Sequence, residues 1–114
     1  MVEVSVEEFE QLVSDALDGI PDDLRRQMDN VAVMVDETIP PGPLLGLYEG
    51  IPLTRRGNYY TATLPDRITI YMATICQHCR TAAEVVETIR TTVIHEVAHH
   101  FGMSDQRLSE LGWA

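Results

Sequence analysis

The sequence has no lysine: its eight basic residues are all arginine, set against 18 Asp and Glu, for a formal charge of −10 in 114 residues. That excess of acid opposes binding to a phosphate backbone, where lysine and arginine displace counterions. It equally opposes adhesion to an anionic membrane surface. Cysteine is scarce too. Cys76 and Cys79 are the only two, too few for a disulfide framework, and a cytoplasmic location is expected. No stretch approaches the ~18 consecutive apolar residues needed to cross a bilayer. The first residues, Met-Val-Glu-Val-Ser-Val, lack the basic and long apolar regions of a signal peptide. Repeats, linkers and low-complexity segments are also missing, so residues 1–114 are expected to form one domain.

What is present is divided unevenly. Residues 1–50 carry twelve carboxylates against Arg25 and Arg26, whereas residues 51–114 carry six carboxylates and six arginines. The whole negative excess therefore lies in the first half. Hydrophobic residues make up 45 %, enough for a chain of this size to bury roughly two-thirds of its unfolded surface.

Periodicity predicts a helix over Ser5–Asp18, opened by a capping box of Ser5 and Glu8 and stopped by Gly19. Phe9, Leu12, Val13, Ala16 and Leu17 form its apolar face. A short helix is expected over Asp22–Asp29 after Pro21, then a buried strand over Val31–Val35. Three prolines exclude regular structure from residues 39–43. Leu44–Tyr48 is a second strand candidate, interrupted by Gly46, and Tyr59-Tyr60-Thr61 has strand composition. Arg67–Met72 is the clearest strand: Ile68, Ile70 and Met72 alternate with Thr69 and Tyr71. From Thr81 the period becomes 3.6. Thr81 and Glu84 form a second capping box, and the helix should run to about Phe101, with Val86, Val93, Val97 and Phe101 on one face. Gly102 ends it, and Ser104–Leu111 should form a last helical turn or two. The expected fold is α+β: a small mixed sheet packed on helices, with one long helix near the C-terminus.

That helix carries His95-Glu96-Val97-Ala98-His99-His100. His95 and His99, at i and i+4, project from one face one turn apart. Two imidazoles so placed suit a tetrahedral Zn²⁺ with Zn–N bonds near 2.0–2.1 Å. Glu96 stands about 100° round the helix from His95, beside the metal rather than on it. There it can take a proton from zinc-activated water and pass it to a leaving group. Gly102 allows a left-handed reversal, and Asp105 follows close enough to return a carboxylate as the third ligand. Glu110 is the alternative if Asp105 only caps the last helix. Two histidines and one carboxylate leave a position for water, the catalytic arrangement. At ordinary residue frequencies the complete string His95-Glu96-x-x-His99-x-x-Gly102-x-x-Asp105 arises in roughly one chain in 10⁵ of this length, so coincidence is a poor account of it.

The string resembles the zincin metallopeptidases, in the extended form with a glycine turn and a third ligand. In size and layout the chain is similar to the minimal zincin-like metallopeptidases of bacteria. The resemblance implies a zincin-like fold, one Zn²⁺ on His95, His99 and Asp105, Glu96 as general base, and a peptide or protein substrate. Only nine residues follow Asp105, so the methionine turn of the metzincins has no counterpart, and Met103 is not its equivalent. An open site of this kind favours short peptides or flexible tails. Two other readings are a non-catalytic zinc-stabilised binding module and a metal-dependent nuclease. Glu96 argues against the first and the charge against the second, whose bacterial ribosomal-RNA-processing examples carry a related His-x₃-His-x₅-His cluster.

Several other residues invite a functional reading beside a plainer one. His100 could donate a hydrogen bond that orients a metal ligand, or be a partly exposed histidine. Strand 67–72 is the candidate edge for pairing an extended substrate. On it Tyr71 could polarise a carbonyl, or Tyr71 and Thr69 could simply be strand residues. Arg55 and Arg56 could hold a substrate carboxylate or form a solvated loop. Cys76-Gln77-His78-Cys79 lacks the partners for a zinc site and the context of a redox motif, so reduced structural cysteines are expected.

Overall fold

A computed structural model describes residues 1–50 and 65–113. Helix α1 (Val6–Asp18) begins where the Ser5 side chain accepts from the Glu8 N–H, 3.1 Å away. The other arm of the expected capping box differs, because Glu8 Oε1 accepts from the Ser5 hydroxyl (3.1 Å). Phe9, Val13 and Ala16 are its buried residues. Helix α2 (Asp22–Gln27) follows Pro21 and buries Leu24.

Three strands form one sheet: β1 (Val31–Asp36), β2 (Gly46–Glu49) and β3 (Asp66–Tyr71), in the order β1-β3-β2. β3 is central, parallel to β1 and antiparallel to β2. Two expectations are corrected in this sheet. The strand over 67–72 is not an edge: both its sides are paired, and among the described residues β1 and β2 are the outer strands. The strand at Val31 is half-buried rather than buried, and Met34 on it is 49 % exposed. Ile68 and Ile70 on β3 are fully buried, opposite Tyr48 and Gly46 on β2.

Helix α3 (Met72–His78) leaves β3 with no intervening loop and was not expected from the sequence. It starts at Tyr71 with no side-chain cap bond, so none of the usual helix-start signals precede it. Helix α4 (Ala82–His100) is about 28 Å long. Thr81 caps it by accepting from the Glu84 N–H at 3.1 Å. Val85, Ile89, Val93, Ile94, Val97 and Ala98 are its buried residues. Phe101, expected on that face, is 45 % exposed. It is the C-cap, where the chain has already left the helical spiral. Gly102 then takes φ +83°, the left-handed conformation that only glycine adopts at little cost, and α5 (Asp105–Glu110) is capped by Ser104.

α1 packs along α4, and α4 in turn lies against β2 and β3. The core between them gathers Phe9, Leu24, Ile68, Ile70, Ile89 and Val93, among others. Among the described residues no helix is long and apolar enough to cross a membrane. The segment Tyr59-Tyr60-Thr61 and the pair Arg55 and Arg56 lie outside the described residues.

Candidate metal centre

The last two turns of α4 present two adjacent stripes. One carries His95 and His99, whose ring centroids are 5.9 Å apart at a 30° tilt. The chain reverses at Gly102 and brings the first residue of α5 back to this stripe, so that His99 Nε2 and Asp105 Oδ1 lie 2.9 Å apart. Donors sharing a tetrahedral zinc at 2.0–2.1 Å stand about 3.3 Å from one another, a few tenths of an ångström wider than this pair. The donor set thus has the chemistry and nearly the spacing that zinc asks of two of its ligands. His95 stands one turn away on the same stripe. As the side chains stand, no group of three His, Cys, Asp or Glu among the described residues is gathered closely enough to hold an ion. The site is open: the His99 and Asp105 side chains are 48 % and 75 % exposed. Glu110 ends α5 and has no described contact with either histidine.

The second stripe is Thr92, Glu96 and His100, at i, i+4 and i+8, and it lies along β2. Four helical residues advance about 6 Å and two strand residues about 6.7 Å, so helix and strand stay in step over this length. Thr92 meets Gly46, where a Cβ would fall 2.7 Å from Thr92 Cγ2. Glu96 meets Tyr48, whose backbone N–H donates to Glu96 Oε1 at 3.2 Å. His100 stacks on the Tyr48 ring, centroids 3.9 Å apart at 21°. It also comes so close to Gly50 that a Cβ there would stand 3.2 Å from its Cε1.

The Tyr48 N–H is available to Glu96 because of the strand register. The Tyr71 N–H donates to Leu45 O, which makes 45, 47 and 49 the positions bonded to β3 and turns the N–H of 48 outward. Beyond Tyr48, Asp66 at the start of β3 accepts from the tyrosine hydroxyl at 2.7 Å, and its Oδ2 lies 3.8 Å from His100 Nε2. His100 is therefore turned toward β2 and Asp66, not toward the other histidines.

Between the two stripes and the chain entering β2 is a shallow recess of about 250 Å³, lined by Pro43, Leu44, Gly46, Thr92, His95 and Glu96. A larger one, about 340 Å³, is lined by Leu24, Phe101, Met103 and Trp113 and includes none of the candidate site residues. Thr69 is buried, and Tyr71 is half-buried at the start of α3, with no described contact to His95, Glu96 or His99. Cys76 and Cys79 are free and buried. Cys79 Sγ sits 3.3 Å from Thr88 Oγ1.

His95, Glu96, His99 and Asp105 lie on the elements their sequence pattern predicts, whereas Tyr48 and Asp66 were not foreseen at the site. The alternation Gly46-x-Tyr48-x-Gly50 is a usable signal for Tyr48, since two residues without side chains flank it at strand period. Asp66 carried no comparable mark.

This arrangement, a helix bearing His-Glu-x-x-His beside the edge strand of a small sheet, defines a class that comparison with known proteins identifies. The model of the zincin-like metallopeptidase family matches residues 28–113, and the chain belongs to that family. Among solved structures, a conserved hypothetical protein from Thermo thermophilus is similar in fold, with a TM-score of 0.56 and 23 % identity over 85 % of this chain and 94 % of that one. No curated protein matches.

Proposed function

We propose that the chain is a zinc-dependent peptidase, with His95, His99 and Asp105 holding one Zn²⁺ and Glu96 acting as general base. The observation that carries this reading is the 2.9 Å approach of His99 and Asp105, two residues that only the Gly102 reversal brings together. Family membership supports zinc and a peptide substrate. Zn²⁺, when bound, supplies Lewis acidity that polarises a carbonyl and lowers the pKa of water toward 7. Glu96, one helical position from His95 and lining the same recess, accepts the proton as a water oxygen attacks the peptide carbonyl carbon. It then delivers that proton to the amide nitrogen as the C–N bond breaks. The exposure of His99 and Asp105 favours short peptides or flexible tails, since few walls immobilise a longer substrate. The two free cysteines support a cytoplasmic setting.

The rival reading, a zinc-stabilised binding module, draws on the bond that ties Glu96 to β2, a structural use for that carboxylate. One experiment separates them. Purified without chelator, the chain should hold about one zinc, and Glu96→Gln should keep the metal while losing at least about 100-fold in peptide hydrolysis. Zinc far below one equivalent that cannot be restored by addition sinks the metal site. Zinc retained with no cleavage by the unaltered chain leaves the binding module.

A further inference from the structure

A general base on an open, shallow site faces a particular problem. A glutamate side chain has three rotatable torsions, and water-facing carboxylates sample many orientations, whereas proton transfer needs the oxygen within hydrogen-bond reach of the attacking water. Glu96 is held at one point, by the outward N–H of Tyr48. That amide lies one residue from the end of β2, which stops at Glu49, where strand ends ordinarily fray.

The Tyr48 side chain fastens the end of β2, beside the ion pair of Glu49 with Arg67 (2.9 Å). Its hydroxyl donates to Asp66 Oδ2 at 2.7 Å, and its ring lies flat on His100 at 3.9 Å. His100 sits on the same helical stripe as Glu96, one turn on, and Asp66 begins the neighbouring strand. Tyr48 thus ties the last turn of α4 to the start of β3, and its own amide lies between them, under the carboxylate. Gly50 completes the fit by leaving room for His100. A tyrosine that merely filled space would not need the hydroxyl bond.

We propose that Tyr48, braced by Asp66 and His100, is the positioning residue for Glu96: it fixes the end of β2 so that its N–H holds the carboxylate beside the metal stripe. This rests on the peptidase reading above for its catalytic consequence, but not for its structural content. It assigns His100 a role through Tyr48 rather than through the metal.

Amide hydrogen exchange on the full chain tests the structural content without any substrate. The Tyr48 amide points away from β3, and the part of its protection that Glu96→Ala removes reports the bond to Glu96. Tyr48 should be protected in the unaltered chain, and Glu96→Ala should speed its exchange at least tenfold while Leu47 and Glu49, bonded to β3, change little. Tyr48→Phe and Asp66→Ala should speed exchange at residue 48 to a similar extent with Glu96 intact. Asp66→Asn, whose amide oxygen still accepts from the hydroxyl, should stay near the unaltered value. With zinc bound, Tyr48→Phe should lower kcat several-fold at constant KM and zinc content, whereas Asp66→Asn should keep it near the unaltered value. A Tyr48 amide that exchanges equally fast before and after Glu96→Ala overturns the proposal. So does Tyr48→Phe with unchanged protection at residue 48. A chain that cuts no peptide refutes the peptidase reading, while the exchange rates still decide the brace.

Discussion

Replacing Gly46 with alanine tests the contact that sets α4 against β2. The backbone there is not in the left-handed region, so alanine brings no conformational strain, and on backbone entropy alone it should stabilise the strand by about 0.5–1 kcal/mol. Sterics oppose this. The added methyl would lie 2.7 Å from Thr92 Cγ2 and 3.1 Å from Thr69 O, whereas carbon atoms settle about 3.5–4.0 Å apart. Thr92 cannot turn aside freely, because its Oγ1 donates to Thr88 O at 2.7 Å and fixes the rotamer. The helix or the strand must move by close to 1 Å. Overpacking of this kind costs about 1–3 kcal/mol, and from the middle of both ranges the net loss is about 1 kcal/mol, or a fall in Tm of roughly 5 °C for a domain of this size. Urea unfolding followed by Trp113 fluorescence gives the free energy. The decisive measurement is the double variant. Thr92→Ser removes Cγ2 and keeps the hydroxyl bond, so in the Gly46→Ala background it should recover most of the loss, a coupling of about 1 kcal/mol. Recovery should be incomplete, since Thr69 O remains. If Gly46→Ala is as stable as the original chain, or Thr92→Ser rescues nothing, the close approach of α4 and β2 is wrong, and with it the step that aligns Glu96 with Tyr48.

Two further outcomes follow from other parts of the molecule. Gly102 has φ +83° and open space where a Cβ would point, so Gly102→Ala should cost about 1 kcal/mol from backbone strain alone, with Gly102→Asn costing less; calorimetry of the two variants measures the difference. Burial, reinforced by the neighbouring Cys79, pushes the Cys76 thiol above its ordinary value of 9.0. The folded chain then holds this proton at pH values where the unfolded chain has released it, so stability falls as pH rises through about 9. Urea midpoints between pH 7 and 10 should show that decline, and Cys76→Ala should flatten it.

The long helix was legible because every signal agreed: Thr81 and Gly102 mark its ends, and the buried positions from Val85 to Val97 keep a 3.6-residue period. The placement of His95, Glu96, His99 and Asp105 was legible for a different reason, since it depends on spacing within a few turns of one chain segment. What escaped depended on distant parts of the chain meeting. Nothing in Arg67–Met72 says that a partner pairs on each side of it; its alternation describes its two faces, not its two edges. Tyr48 and Asp66 are 18 residues apart and meet only through the β2–β3 register. Helix α3 escaped because it begins without a cap, straight from a strand.

Helix α1 ends at Asp18, ten residues before the start of the segment shared with the family. Yet Phe9, Val13 and Ala16 close the core against α4. The matched segment and the folded core therefore have different borders. A chain trimmed to the shared segment would keep every candidate site residue and lose one wall of the core behind them. Its apolar helix flank would be laid open without the acidic helix that now covers it. For this protein, the stretch that holds the candidate site is shorter than the stretch whose packing supports it.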